Sequence, residues 1–229
     1  MSISGNIDSI EERIVAACLR SGRKREDITL MGVTKFQPRE AIDEAWKAGI
    51  RCFGESRVQE AVEKFAACRE QYPGIELHMV GSLQRNKAKL AASLFDCVQS
   101  LDREALAEDL AKHAVNRAQS LPVLLEYRTG EDSKSGVSDL DALFRLTELV
   151  LGFPSLSIRG LMTIAPNTNE EKLLRAAFRQ MVNVQQELEG RFPGHWHCLS
   201  MGMTGDFEIA IEEGSTLLRI GSAIFGERN

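Results

Sequence analysis

Ile28-Thr-Leu-Met-Gly-Val-Thr34 is a near-continuous apolar run, closed by Lys35 and followed at once by Phe36-Gln37-Pro38 and a helical pattern. Such a run, apolar without alternation, marks a parallel strand covered on both faces. A lysine at the C-terminal end of a buried strand is costly to desolvate unless it has a task. At the far end, Leu217-Leu-Arg-Ile220 leads into Gly221-Ser222-Ala223, again strand, glycine, then small polar residue. Six further short apolar runs lie between, at 51–53, 76–80, 95–99, 121–127, 158–163 and 196–200.

Amphipathic stretches separate these runs. A helix is expected over about 6–20, before the first strand. The stretch 38–48 has Pro38 at its first turn and stops before Gly49, the usual punctuation of a helix. Asp102 is a plausible N-cap for 102–118. Leu173, Leu174, Ala177, Phe178, Met181, Val182 and Val184 draw one apolar stripe along 169–188. The stretch 206–213 ends before Gly214, a C-cap signal. Eight strand-then-helix units within 229 residues predict an α/β fold, a single (β/α)₈ TIM barrel forming one domain over 1–229. A doubly wound open sheet competes. The barrel is favoured because the first and last strands both carry unusual residues, and only closure brings those strands together.

Composition narrows the function classes. Lys plus Arg number 28 against 33 Asp plus Glu, a net charge of -5, which disfavours a nucleic-acid binder. No stretch approaches the roughly 18–20 apolar residues of a membrane span. The first residues lack the basic and apolar regions of a secretory signal. Cys18, Cys52, Cys68, Cys97 and Cys198 are odd in number, widely spaced and free of C-x-x-C, as expected of reduced thiols in a cytoplasmic protein.

In a barrel, functional groups occupy the loops after the strands, and phosphates are often held after strands seven and eight. There the chain reads Ser200-Met201-Gly202-Met203-Thr204-Gly205-Asp206 and Gly221-Ser222-Ala223. Ser200, Gly202, Thr204, Gly221 and Ser222 are the expected phosphate cup, since glycines let backbone N–H groups approach an anion. Tight turns and helix caps account for each glycine equally well when it is taken alone. An amine at the first strand's end and a phosphate cup at the last point to an aldehyde cofactor with a phosphate handle, pyridoxal 5'-phosphate. Lys35 would form the Schiff base if its pKa were lowered. Arg219, inside the last strand, is either an ion-pair partner or a donor to the pyridine nitrogen, which a permanently charged arginine would keep unprotonated. Other strand exits, Gly54-Glu55-Ser56-Arg57, the loop with Lys87 and the loop with Lys134, read equally as polar loops. His195 and His197 flank Trp196, but a third ligand at useful spacing is lacking, so no metal is expected.

These residues also resemble a known family. Val33-Thr-Lys35, Phe53-Gly-Glu55 with Val58-Gln-Glu60, His78-Met-Val-Gly81, Ser133-Lys-Ser-Gly136, Gly160-Leu-Met162, Leu199-Ser-Met-Gly-Met203 and Arg219-Ile-Gly-Ser-Ala-Ile-Phe-Gly226 resemble the pyridoxal phosphate homeostasis proteins. The resemblance implies an alanine-racemase-like barrel (fold type III), with the cofactor covalent to Lys35. It implies Arg219 near the ring nitrogen and phosphate contacts from Ser200, Gly221, Ser222 and neighbouring backbone, including that of Met201. Ser56 stands where the family usually has an asparagine, Thr204-Gly205 where it has Ser-Asp, and Tyr127-Arg128 where a smaller pair is usual.

The function implied is a non-catalytic, monomeric carrier that supplies or regulates pyridoxal phosphate, with apo enzymes that depend on it as partners and effects on amino-acid metabolism. The alternative is a small racemase-like enzyme. Racemases of this fold type draw a second acid/base tyrosine through an additional domain, and here the only tyrosines are Tyr72 and Tyr127. A barrel for some other phosphorylated metabolite, with Lys35 merely ion-paired, is the third reading.

Overall fold

The computed structural model describes residues 2–65, 71–130 and 135–226. Eight strands close into a parallel barrel in chain order: β1 Thr29–Val33, β2 Cys52–Glu55, β3 Glu76–Met79, β4 Cys97–Leu101, β5 Leu121–Glu126, β6 Leu156–Met162, β7 Cys198–Ser200 and β8 Leu217–Ile220. Closure is made by β8 returning to β1, with Thr29 opposite Leu217 and Met31 opposite Arg219. The expected (β/α)₈ barrel is therefore the observed one, and the open sheet is excluded.

Helices cover the outside: α1 Ile3–Ser21, α2 Arg39–Lys47, α3 Val58–Phe65, α4 Ala88–Leu94, α5 Glu104–Ala114, α6 Leu140–Leu151, α7 Glu171–Arg191, α8 Phe207–Glu212 and α9 Ser222–Phe225. The pattern reading marked α1, α2, α5, α7 and α8, and left α3, α4, α6 and α9 unmarked. Seventh-strand boundaries also differ. The run was expected over 196–200, yet β7 starts at Cys198. Trp196 is held by the preceding helix instead, its indole N–H donating to Phe192 O at 2.7 Å while Gln185 donates to its carbonyl. His195 and His197 thus lie outside the strand, and His197 is exposed.

Strand alternation sorts the core into two layers. Leu30, Phe53, Leu77, Val98, Leu161, Leu199, Leu218 and Ile220 face outward into the large apolar layer beneath the helices. Met31, Val33, Cys52 and Leu217 make a small cluster inside the barrel, and Cys97, Leu124 and Met162 another. Between them the barrel interior is polar: His78, Gln99, Ser200 and Arg219 are all buried. Helix α1 packs against α8, α9 and α2, straddling the closure seam, and Asn6 Nδ2 donates to Ile224 O at 2.8 Å.

The apolar layer carries most of the stability, because burial of apolar surface is the dominant favourable contribution. Phe178, on the inner stripe of α7, is fully buried there. Phe178→Ala is expected to destabilise by about 3–5 kcal/mol through lost transfer energy and a residual cavity. Urea unfolding measures this, and a loss below about 1 kcal/mol would mean that α7 packs loosely.

Candidate functional site

A cavity of about 350 Å³ opens where the strands end at their C-terminal edges. Lys35, Ser56, Thr204, Arg219, Gly221 and Ser222 all line it. The barrel thus joins residues from the exits of β1, β2, β7 and β8. Among the lining residues the cations are Lys35 and Arg219.

Lys35 is half-buried, and the peptides on both sides of it are held. Lys64 Nζ, on α3, donates to Thr34 O at 2.6 Å. Glu60 Oε1 accepts from Phe36 N at 2.5 Å. Lys64 also pairs with Glu60 at 2.6 Å and with Glu55 at 3.0 Å, and Thr34 Oγ1 donates to Glu55 Oε1 at 2.7 Å. Phe36 takes φ 63°, a left-handed conformation uncommon for a bulky side chain, and such strain persists only where surroundings impose it. The hydrogen bond from Phe36 N to Glu60 and the Arg57 guanidinium over the Phe36 ring both hold it there. Pattern reading missed Lys64 as part of the site. Its signal was the i,i+4 spacing of Glu60 and Lys64 on one helical face.

Arg219 is buried inside the barrel and still lines the cavity. Nη1 donates to Ser200 Oγ at 2.7 Å and Nη2 to Thr163 O at 2.6 Å. Burial pushes its pKa down to about 10, with Asp206 and Glu126 opposing, so it stays cationic at neutral pH. Ser200 in turn donates to Gln99 Oε1 at 2.6 Å, and Gln99 Nε2 lies 2.8 Å from His78 Nδ1.

The expected phosphate cup divides. Thr204, Gly221 and Ser222 line the cavity, with Ser222 Oγ donating to Thr204 Oγ1 at 3.3 Å and Ala223 N reaching the same oxygen at 3.4 Å. Ser200, Met201 and Gly202 do not line it. Ser200 is fully buried and committed to Arg219 and Gln99, and Met201 joins the apolar layer. Gly202 has φ +96°, and a Cβ there would lie 2.7 Å from Ala210 Cβ, so close packing on α8 accounts for this glycine. Ser56 lines the cavity beside Gly81, where a Cβ would fall 2.4 Å from Ser56 O. The glycine lets the exits of β2 and β3 touch.

Tyr127 is buried, bridged to Val137, and does not line the cavity. Lys87, half-buried at the end of a short turn Arg85–Lys87, does not line it either. Lys134 and Cys68 lie outside the described residues.

The alanine racemase N-terminal domain family matches residues 8–229, which defines the class of barrel. The pyridoxal phosphate homeostasis protein of Vibrio cholerae is 44% identical, the alignment covering 100% of this chain and 97% of that one. A crystal structure of an unknown protein from Bifidobacterium adolescentis superposes with a TM-score of 0.90 at 33% identity, over 97% of this chain and 94% of that one. PipY of Synechococcus elongatus, solved with pyridoxal phosphate bound, superposes with a TM-score of 0.82 at 36% identity, over 95% of this chain and 100% of that one. The chain belongs to the pyridoxal phosphate homeostasis protein family.

Removing Lys64 leaves Glu55 buried without its cation. Lys64→Met is therefore expected to cost about 3 kcal/mol, the usual penalty of an orphaned buried charge. Urea titration measures it, and a loss within about 0.5 kcal/mol would show the pair to be dispensable. Glu126 supplies a pH test. Its Oε1 accepts from Ser135 Oγ at 2.6 Å, its Oε2 has no hydrogen-bond partner among the described residues, and burial pushes its carboxyl above the ordinary range. From the unfolded value of about 4.3 up to that raised value, the unfolded chain releases its proton first, so stability falls as pH rises. Glu126→Gln removes this loss, and its melting temperature should gain on wild type as pH rises above about 4. A difference independent of pH would contradict this assignment.

Proposed function

We propose that the cavity binds pyridoxal 5'-phosphate, with Lys35 Nζ bonded to the aldehyde carbon, and that the chain carries and supplies this cofactor. One observation carries the reading. A lysine held at the end of β1 shares a single cavity with hydroxyls at the ends of β7 and β8, and Arg219 lines it too.

Bound there, the cofactor supplies an aldehyde for amines and, with its ring nitrogen protonated, an electron sink. The residues present fit that group. Thr204 and Ser222 offer hydroxyls to the phosphate, and Gly221 lets the backbone come near. Arg219 has only protons to give, so a ring nitrogen that it faces stays unprotonated. This disfavours carbanion chemistry and supports carrying over catalysis. Neither tyrosine lines the cavity, which also favours the carrier reading over a racemase. No helix among the described residues is long and apolar enough to cross a membrane. A cytoplasmic protein loading apo enzymes is the setting that this reading proposes.

Lys35→Ala is expected to abolish the visible absorption band seen when pyridoxal phosphate is added to wild type, and to prevent borohydride from fixing the cofactor to the chain. Its melting temperature without cofactor should stay within a few degrees of wild type, since a half-buried rim lysine contributes little core area. A colourless wild type would favour some other phosphorylated ligand. Loaded protein should also activate an apo enzyme faster than the same free cofactor, and equal rates would refute supply.

A further inference from the structure

A second group of reactive side chains lies at the opposite, N-terminal mouth of the barrel. Cys52, Glu76 and His78 each offer a ligand atom, and these atoms all lie within 4.8 Å of one another. The strand register produces this. Cys52 opens β2 directly beside Glu76, which opens β3, and His78 follows two residues on, on the same face. Glu76 Oε2 and His78 Nε2 are 3.6 Å apart. Glu76 and His78 border a cavity of about 400 Å³ that Asp96, Cys97, Arg117, Arg159 and Cys198 also line, and Cys52 lines a neighbouring one together with Glu76. In a barrel of this kind the N-terminal face ordinarily serves stability, so a thiol, an imidazole and a carboxylate converging there need an account.

We propose that Cys52, Glu76 and His78 bind a borderline-soft divalent cation of the zinc type, with its fourth position open to the cavity. The donor set favours that class: thiolate, imidazole and carboxylate together suit zinc or cobalt, whereas magnesium and calcium take oxygen ligands. Bonds of about 2.0–2.3 Å to a tetrahedral zinc set its ligands roughly 3.3–3.8 Å apart. The carboxylate–imidazole pair already stands at that spacing, and Glu76, 65% exposed, is free to close the rest. Cys52 and His78 sit on adjacent strands of a closed sheet, so two of the three ligands are fixed before any ion arrives.

The protons balance. As the sulfur–metal bond forms, the Cys52 thiol releases its proton to solvent. Gln99 Nε2 lies 2.8 Å from His78 Nδ1, which puts the imidazole proton on Nε2, facing Glu76. Metal at Nε2 moves that proton to Nδ1, so the ring stays neutral. The Gln99 amide turns over to accept it and presents its NH₂ to Ser200 Oγ, which then accepts from Gln99 and Arg219 together and turns its own proton away from Gln99. Gln99 then orients the ligand histidine, as outer partners of metal-bound histidines do.

Cobalt(II) titration of the full chain tests this. Wild type should bind one equivalent with a near-ultraviolet thiolate-to-cobalt charge-transfer band, read as a difference spectrum. Cys52→Ser should lose the band, and Glu76→Gln should bind about tenfold or more weakly. A wild type without the thiolate band overturns the proposal, as does a Cys52→Ser variant that keeps it. Unchanged affinity in Glu76→Gln overturns it too. That substitution alters a largely exposed side chain, and it decides alone should Cys52→Ser fail to fold.

Discussion

Arg219 carries a cation into the middle of a closed barrel, and the polar interior is organised around it. No carboxylate touches the guanidinium among the described contacts. Its partners are a hydroxyl on β7 and the carbonyl of Thr163 just beyond β6. A buried charge left to apolar surroundings would cost several kcal/mol or lose its proton. The sequence answers with Ser200, Gln99 and His78 in succession, a chain that crosses from β8 through β7 and β4 to β3. This explains why the apolar interior breaks into two small clusters, and why most hydrophobic burial lies outside the barrel, under the helices.

The other anchored element is the backbone on either side of Lys35. A long lysine side chain on a free loop would place its amine over several ångströms, and orientation is lost with each free torsion. Here α3 reaches back with Lys64 and Glu60 to hold the peptides before and after Lys35. The left-handed Phe36 turns the chain away from the strand immediately beyond the lysine. The clamp depends on charge as well as hydrogen bonding, since Glu55 is fully buried and Lys64 nearly so.

How much of this was legible in the sequence follows from contact range. The strands announced themselves because an apolar run is a local property, and Pro38 and Gly49 bracket α2 for equally local reasons. Lys35 and Arg219 were conspicuous because charge at a buried strand position is locally anomalous. The short α4, rich in alanine and lacking a side-chain cap, gave no such signal. Ser200 illustrates a different case. Its place after strand seven suggested an anion contact, yet Gln99, 101 residues earlier, claims its proton. Whether a hydroxyl faces the cavity or the interior depends on that distant partner and on which way β7 alternates. Gly202 is similar: its freedom from a side chain serves packing against α8.

The composition of the cavity bears on how firmly a phosphorylated ligand would be kept. Its two lining cations, Lys35 and Arg219, are both spoken for in the proposed mode, one by the aldehyde and the other by the ring. The phosphate would then rest on Thr204, Ser222 and peptide groups, which are neutral. Such bonds are charge-assisted by the phosphate alone, and they lack the opposite charge that a lysine or arginine would bring. A lysine or arginine in the phosphate loop would hold a dianion far more tightly and slow its release. A site that fixes the amine with a rigid clamp, yet leaves the phosphate to hydroxyls and backbone, suits a protein whose cofactor must come off again.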